Sequence, residues 1–332
     1  MVHAVIWMSA GSAASLLATC LGTGTESRTV HSLKDFLKET KGGKACAFVD
    51  EAALAQLASS PPTFPVIAIC GDTLQAAVSL LPQYPWLSHV TSAAMLAHPL
   101  ANEHFRNVME TASSDEKPRL LDWVGGEVAG RRVLLTHASR RAERLERMTD
   151  FFDSKGVGAR TTQLLRDAAE ELLTNAFYDA PVAAGAVKKA ISREQDVMLP
   201  EDDACDLVYG SRDDMVFVRV KDPFGALTRE RLVQVLTRCA RTDMQVEVDE
   251  SMGGAGLGLW RVFAVASFVA VSVVSHRHTE FLVGIAKRAP AGQRPFSFHL
   301  FFREGSKKRF WHIFDQDSSS LGVNQSVTIL KT

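Results

Sequence analysis

Paired cysteines are missing from this chain. Its five cysteines, Cys20, Cys46, Cys70, Cys205 and Cys239, are odd in number, widely spaced and never arranged as C-x-x-C. That excludes a disulfide framework and a zinc knuckle. Cys46 and Cys70 lie in apolar, strand-like runs and read as core residues, and a reducing cytoplasm is the expected setting. Net charge is missing too: 37 Lys and Arg stand against 38 Asp and Glu, leaving −1, with no long basic stripe. Neither nucleic acid nor an anionic membrane is therefore an expected partner. The longest apolar stretch, Val262 to Val274, is about 13 residues, short of the roughly 20 needed to span a bilayer. The opening VHAVIWMSAGSAASLLATCLG has no basic leading region and is interrupted by Ser-Ala-Gly-Ser, which suits a strand, a loop and a helix better than a signal peptide. What remains, 46% hydrophobic and 23% charged over 332 residues, is the composition of a soluble globular protein of about two domains.

Strand and helix signals alternate five times over residues 1–112. Strands are expected at Ala4 to Met8, Arg28 to His31, Ala45 to Val49, Val66 to Cys70 and His89 to Thr91. Helices are expected at Ala13 to Leu21, Leu33 to Glu39, Glu51 to Ser59, Leu74 to Leu81 and Asn102 to Ala112. Such alternation predicts a parallel sheet with helices on both faces. Its order and spacing resemble a response-regulator receiver domain, which implies a flavodoxin-like fold. Asp50 ends the third strand, where that family carries its phosphoacceptor. The acidic pair expected after the first strand is replaced by Met8-Ser9, the fourth strand ends in Cys70-Gly71, and no Lys follows the fifth. Without groups to hold Mg²⁺ and the phosphoryl oxygens, the domain reads as a degenerate receiver used for docking or dimerisation.

Further along, Leu164 and Leu165, Ala168 and Ala169, Leu172 and Leu173, and Ala176 and Phe177 recur four apart. This is the stripe of a helix packed on a core. Glu171 and Asn175 fall one turn apart at the stripe's border. There a carboxamide oxygen can bind Mg²⁺, and a carboxylate can hold a metal-bound water or act as general base on the group attacking a phosphate. A solvated helix face would carry the same pair. Val216 to Val220 alternates as a strand and runs into Asp222-Pro223-Phe224-Gly225, where Asp222 and Pro223 would equally begin a turn. Gly253-Gly254-Ala255-Gly256-Leu257-Gly258-Leu259 precedes a helix-like WRVFAVAS. Glycines there let backbone approach a phosphate, and the helix start offers free N–H groups. Acidic residues precede this run, at Glu247, Asp249 and Glu250, and none follows in Val262 to Val274, which argues against a Rossmann loop.

Taken in order, these segments resemble the histidine-kinase-like ATPases, a family that includes sensor kinases, anti-sigma-factor serine kinases, gyrase-type ATPases and Hsp90 chaperones. Glu171 to Ala176 resembles the N box, Asp222 to Gly225 the first glycine box and Gly254 to Leu259 the second. His278-Thr279-Glu280-Phe281 resembles the G-T-x-F segment. The resemblance implies an α/β sandwich over residues 161–290 that binds ATP and Mg²⁺. In it Asn175 is the metal ligand and Asp222 accepts from the adenine amino group beside Gly225. Gly254, Gly256, Leu257 and Gly258 lie along the phosphates, Thr279 sits near the base, and Glu171 polarises the attacking group. Phe224 and Ala226 stand where the first box normally has glycines. The implied function is that of a bacterial signalling protein, a histidine-kinase-like ATPase or anti-sigma-type serine/threonine kinase acting on a protein partner. The alternative is a non-catalytic interaction scaffold.

Residues 113–160 read as a connection. Leu120 to Val124 and Arg132 to Leu135 are expected as short strands, and Ser139 to Phe152 as a charged helix that either pairs with a copy of itself as a homodimer or braces the ATPase-like domain. His137 is followed by Ala138-Ser139-Arg140-Arg141, unlike the phosphoaccepting histidine of sensor kinases, which precedes an acidic residue. His276 and His278, with no third ligand nearby, read as a strand edge. Residues 180–215 are expected to continue a helix and then form a loop. Leu227 to Arg241 is expected as a helix and Thr242 to Met252 as a lid over the nucleotide. Residues 291–332, alternating at Phe296, Phe298, Leu300 and Phe302 and again at Phe310 to Phe314, are expected as a β extension.

Overall fold

The computed structural model describes residues 2–22, 24–41, 45–71, 73–114, 116, 118–124, 129–241, 257–287, 295–305, 311–315 and 326–331. The chain is α/β and divides into two compact units, residues 1–119 with 289–301 and residues 120–288 with 302–332. Among the described residues no helix is long and apolar enough to cross a membrane.

In the first unit, strands β1 (His3–Trp7), β2 (Ser27–Val30), β3 (Ala45–Asp50), β4 (Val66–Cys70) and β5 (His89–Ser92) pair in parallel in the order β2-β1-β3-β4-β5. Parallel neighbours need crossovers, supplied by α1 (Gly11–Leu21), α2 (Leu33–Glu39), α3 (Glu51–Leu57) and α4 (Leu74–Gln83), with α5 (Ala101–Ser113) after the last strand. Ser32, Asp50 and Thr73 each stand just before a helix with a side-chain oxygen that accepts the backbone N–H three residues on, which fixes the starts of α2, α3 and α4. Central strands buried on both faces account for the unbroken apolar runs in β3 and β4. The Phe48 and Phe105 rings meet edge-on at 5.5 Å inside this core. The alternating run that begins at Phe296 belongs here as well, as far as Phe301. It is β12 (Ser297–Arg303), which pairs antiparallel with β5 so that Ser297 faces Thr91 and His299 faces His89.

Three histidines are buried where β5, β12 and α5 meet. Nε2 of His104 lies 2.9 Å from Ser297 Oγ and 3.0 Å from His299 Nε2, and Ser297 Oγ lies 2.5 Å from His299 Nε2. His89 stacks beside them, its ring 5.5 Å from that of His299. One proton arrangement keeps both outer rings neutral: His104 Nε2–H donates to Ser297 Oγ, whose hydroxyl donates to His299 Nε2. Burial, with a contribution from His98, drives His104 down to about 3. Burial and its two histidine neighbours push His299 well below its usual value.

In the second unit, β10 (Phe268–Val274), β11 (His278–Ala286), β9 (Met215–Asp222), β8 (Cys205–Arg212) and β6 (Ala129–Leu135) lie side by side in that order, each antiparallel to the next. Helices α6 (Arg141–Ser154), α7 (Ala159–Thr174), α9 (Arg229–Ala240) and α10 (Leu257–Val265) complete the layer, α7 packing on β9 and β11 and α10 packing on α7 and α9. Beyond α7 the helix opens into a π-turn, Asn175–Asp179, before α8 (Ala180–Ala183). A separate small sheet joins β13 (Trp311–Asp315), β14 (Ser326–Lys331) and β7 (Asp196–Met198).

Alternation along β9 sends Val216, Val218, Val220 and Asp222 to one face, and Phe217, Arg219 and Lys221 to the other. On the latter, Arg219 is 6% exposed and reaches Asp206 at 2.6 Å and Glu280 at 2.5 Å, while Arg132 binds both oxygens of Asp206. Burial raises the Asp206 carboxyl, but Arg132 and Arg219 more than offset it and hold it below the ordinary range.

Two expectations are corrected. Leu120–Val124 is a 3₁₀ turn, not a strand: its Leu, Trp and Val side chains are buried from one short turn, which needs no alternation. Residues 180–215 are not helix and loop alone, for they include β7 and β8. Asp206 obscured β8, since a carboxylate inside a strand reads as a break until its two arginines are seen.

Candidate functional site

Asp222 is the last residue of β9 and 8% exposed. Its Oδ1 accepts from the N–H groups of Phe224 at 2.8 Å and Gly225 at 3.3 Å, so the carboxylate folds the turn that follows it. Thr279 faces it directly across β11 and hydrogen-bonds to it. Cys205 begins β8 on the other side, its thiol pushed far up by burial and by the charges of Asp222 and Asp206. Burial raises Asp222 to about 6, against the opposing pull of the Phe224, Gly225 and Thr279 donors.

Gly225 is where the turn is tightest. Its φ is +61°, and a Cβ there would fall 2.2 Å from the Val274 carbonyl oxygen, 2.7 Å from the Arg277 nitrogen and 2.8 Å from the His278 nitrogen. All three atoms are backbone, in the β10–β11 turn. Phe224, in a position that the resemblance gives to glycine, is 1% exposed, with its ring packed inside.

The second cluster forms at the end of α7. A Cβ on Gly258, in the first turn of α10, would fall 1.7 Å from Glu171 Cδ. The Glu171 carboxyl therefore lies flat on the glycine, where the helix start favours a negative group. Burial raises Glu171, opposed by Arg193 and Arg261 and by the Asn175 side chain, with Glu170 adding to the rise. Asn175 starts the π-turn, and its side chain lies against the Glu171 carboxyl. Asp179 ends the turn and is raised to about 6 by burial, with Arg193 opposing, Glu171 adding and Arg231 opposing. The Tyr178 hydroxyl donates to the carbonyls of Arg193 at 3.1 Å and Gln195 at 2.9 Å, which fixes the Arg193 loop beside both carboxylates.

The sequence-expected residues thus gather in two groups: Asp222, Gly225 and Thr279 in one, Glu171, Asn175, Leu257 and Gly258 in the other. Gly254 and Gly256, and the expected lid, lie outside the described residues. Asp179, Arg193 and Arg261 were not foreseen. The spacing of Asp179, four after Asn175, was the available signal. Asp50 has both carboxylate oxygens engaged, Oδ1 by the Ala53 N–H at 2.8 Å and Oδ2 by the Ser9 N–H at 2.5 Å, as a helix cap. His137 precedes α6 in a bridge to Met198, with its Nδ1 2.9 Å from Thr136 Oγ1.

Replacing Gly258 by Ala tests the contact. The atom displaced is the end of a flexible side chain, so thermal stability is expected to change by about 1 kcal/mol or less. The Glu171 carboxyl, titrated by carbon-detected NMR, returns toward its ordinary 4.5. An unchanged titration would mean that the carboxyl does not lie on Gly258.

Compared with protein-family models and with curated proteins, the chain matches none.

Proposed function

We propose that the second unit binds ATP with Mg²⁺ and works in bacterial signalling, as a histidine-kinase-like ATPase or an anti-sigma-type serine/threonine kinase that regulates a protein partner. The observation that carries this reading is the meeting of Glu171 with Gly258, which joins the N-box-like and second-glycine-box-like segments in space. The cross-strand pairing of Asp222 with Thr279, two further segments of the same resemblance, supports it.

Asn175 is suited to Mg²⁺ and Asp222 to the adenine amino group. Glu171, raised by burial and flanked by Arg193 and Arg261, suits a proton acceptor near a phosphate. When bound, Mg²⁺ would supply charge neutralisation of the phosphate oxygens. In the first unit the strand order 2-1-3-4-5 is that of flavodoxin-like sheets, consistent with a receiver-like domain.

A second reading, a non-catalytic scaffold, is favoured by Asp50 being consumed as a helix cap and by Phe224 in a glycine position. Calorimetric titration of ATP and ADP, with and without Mg²⁺, into wild type and Asp222→Asn separates the two. The variant is expected to bind ATP about 10- to 100-fold more weakly, the worth of a hydrogen bond to a charged group. Equal affinity in the two proteins, or no binding to wild type at millimolar ATP, would overturn the nucleotide reading.

A further inference from the structure

β6 is the last strand of its sheet: it pairs with β8 on one side, and among the described residues no strand pairs with the other. Such an edge offers a row of unpaired backbone N–H and C=O groups. Its register with β8 runs without a bulge from Ala129 to Leu135, and the strand holds no proline, so two common ways of closing an edge are not used. Side chains alternate along it, Arg131 and Val133 to one face, Arg132 and Leu134 to the other. Tyr209, which stands opposite Arg131 in the register, meets the Phe151 and Phe152 rings of α6 at 5.4 and 5.9 Å. Arg131 therefore points to the face that α6 covers. On the other face Leu134 is 58% exposed.

α6 sorts its charges. At about 100° per residue, Arg140, Arg144, Arg147 and Phe151 fall on one flank, while Glu146, Asp150 and Asp153 turn away from it. Lys155 prolongs the flank, its Nζ 6.0 Å from the centre of the Phe151 ring. Because Phe151 rests on Tyr209, this basic flank runs beside Arg131 and the open edge. One carboxylate borders it, Glu143, which Arg147 binds at 2.6 Å and Arg140 at 3.4 Å. Among the described residues Arg131 and Arg144 make no ion pair. We infer that the open edge of β6 and the basic flank of α6 form a docking site for an extended acidic segment of a protein partner, which adds a strand to the sheet beside β6. Main-chain bonds would hold such a segment and its alternate side chains would select it. On one face they meet Arg131 and the α6 arginines, on the other Leu134, so the segment that fits alternates acidic and apolar residues. Four arginines and a lysine against Glu143, on a chain of net charge −1, give the complementary charge. A second copy of β6 fits poorly, for it would bring two basic flanks together. The site does not depend on the nucleotide reading.

The test uses a short fluorescent peptide that alternates glutamate with valine, and two control peptides, one with lysine for glutamate and one with proline for the central valine. The full chain is titrated as wild type and as the double variant Arg131→Glu, Arg144→Glu, with thermal melts to establish folding. By fluorescence anisotropy the acidic peptide binds wild type, and it binds the variant at least about tenfold more weakly. Both controls bind wild type more weakly by a similar factor, and hydrogen exchange of the Ala129–Leu135 amides slows when the acidic peptide is bound. No binding at millimolar peptide, a control or a variant that binds as tightly as the parent pair, or exchange unchanged in β6 would overturn the inference. So would a dimer in sedimentation whose β6 amides are already protected, because a second copy would then own the edge. Tighter binding of a single-stranded oligonucleotide than of the acidic peptide would overturn it in favour of nucleic acid.

Discussion

Acidification destabilises the first unit steeply. His104 has an ordinary pKa of 6.5 and is driven to about 3 when folded. Between those values the unfolded chain binds the proton that the folded one refuses. The stability from burying the neutral ring is therefore present above pH 6.5 and is lost as the pH falls. At about 1.4 kcal/mol per pH unit, the loss is about 2 kcal/mol at pH 5 and approaches 5 kcal/mol near pH 3. His299, lowered in the same direction, adds to it. Set against a typical domain stability of about 5–15 kcal/mol, that is enough to unfold a marginal unit. Urea titrations at pH 7, 6, 5 and 4 give the slope of stability against pH. In His104→Gln, which keeps a donor for Ser297, the slope is expected to fall by about one proton. A slope equal to that of wild type would show that His104 is not buried neutral. Asp179 and Asp222, raised to about 6, act oppositely: the folded second unit takes up their protons first, so it gains stability from them as the pH falls below about 6.

Gly225→Ala is the most damaging small substitution expected in the second unit. Alanine at φ +61° costs roughly 1–2 kcal/mol on its own. The added methyl also overlaps three backbone atoms of the β10–β11 turn, which cannot rotate away as a side chain would. A total of about 3–5 kcal/mol, or roughly 10 °C in Tm for a unit of this size, is expected. Gly185 provides the comparison: its φ is +73° but nothing lies within 4 Å of a Cβ there, so Gly185→Ala carries only the conformational cost. If the two variants melt together, the close approach at Gly225 is not what the turn depends on. Because the same turn holds Asp222, nucleotide affinity is expected to fall with stability.

The parallel strands of the first unit were legible because buried central strands such as VIAIC, and ACAFV before Asp50, carry nothing but apolar side chains. The E-x-x-x-N helix and the strand into Asp222 were equally legible, each from its own period. Long-range events were not. Nothing local distinguishes Phe296 to Phe302 as a partner of His89 from a free extension, since alternation fixes a strand's face but not its neighbour. Asp206, Arg219 and Glu280 carry no local mark of the buried network that they form across three strands. The π-turn at Asn175–Asp179 was not legible either, for a one-residue widening of a helix has no sequence signature of its own.

The first unit is sewn from two stretches of chain, with residues 120–288 between them. During synthesis β1 to β5 leave the ribosome early, but β12, which covers the open side of β5, is made only after that whole insertion. At about 5–20 residues per second, the stretch from the end of β5 to the start of β12 takes roughly 10–40 s. For that time β5 presents unpaired backbone groups, the kind of edge that recruits stray strands. A nascent chain of this design has a built-in window in which a holding chaperone, or too high a local concentration of its siblings, decides between folding and aggregation.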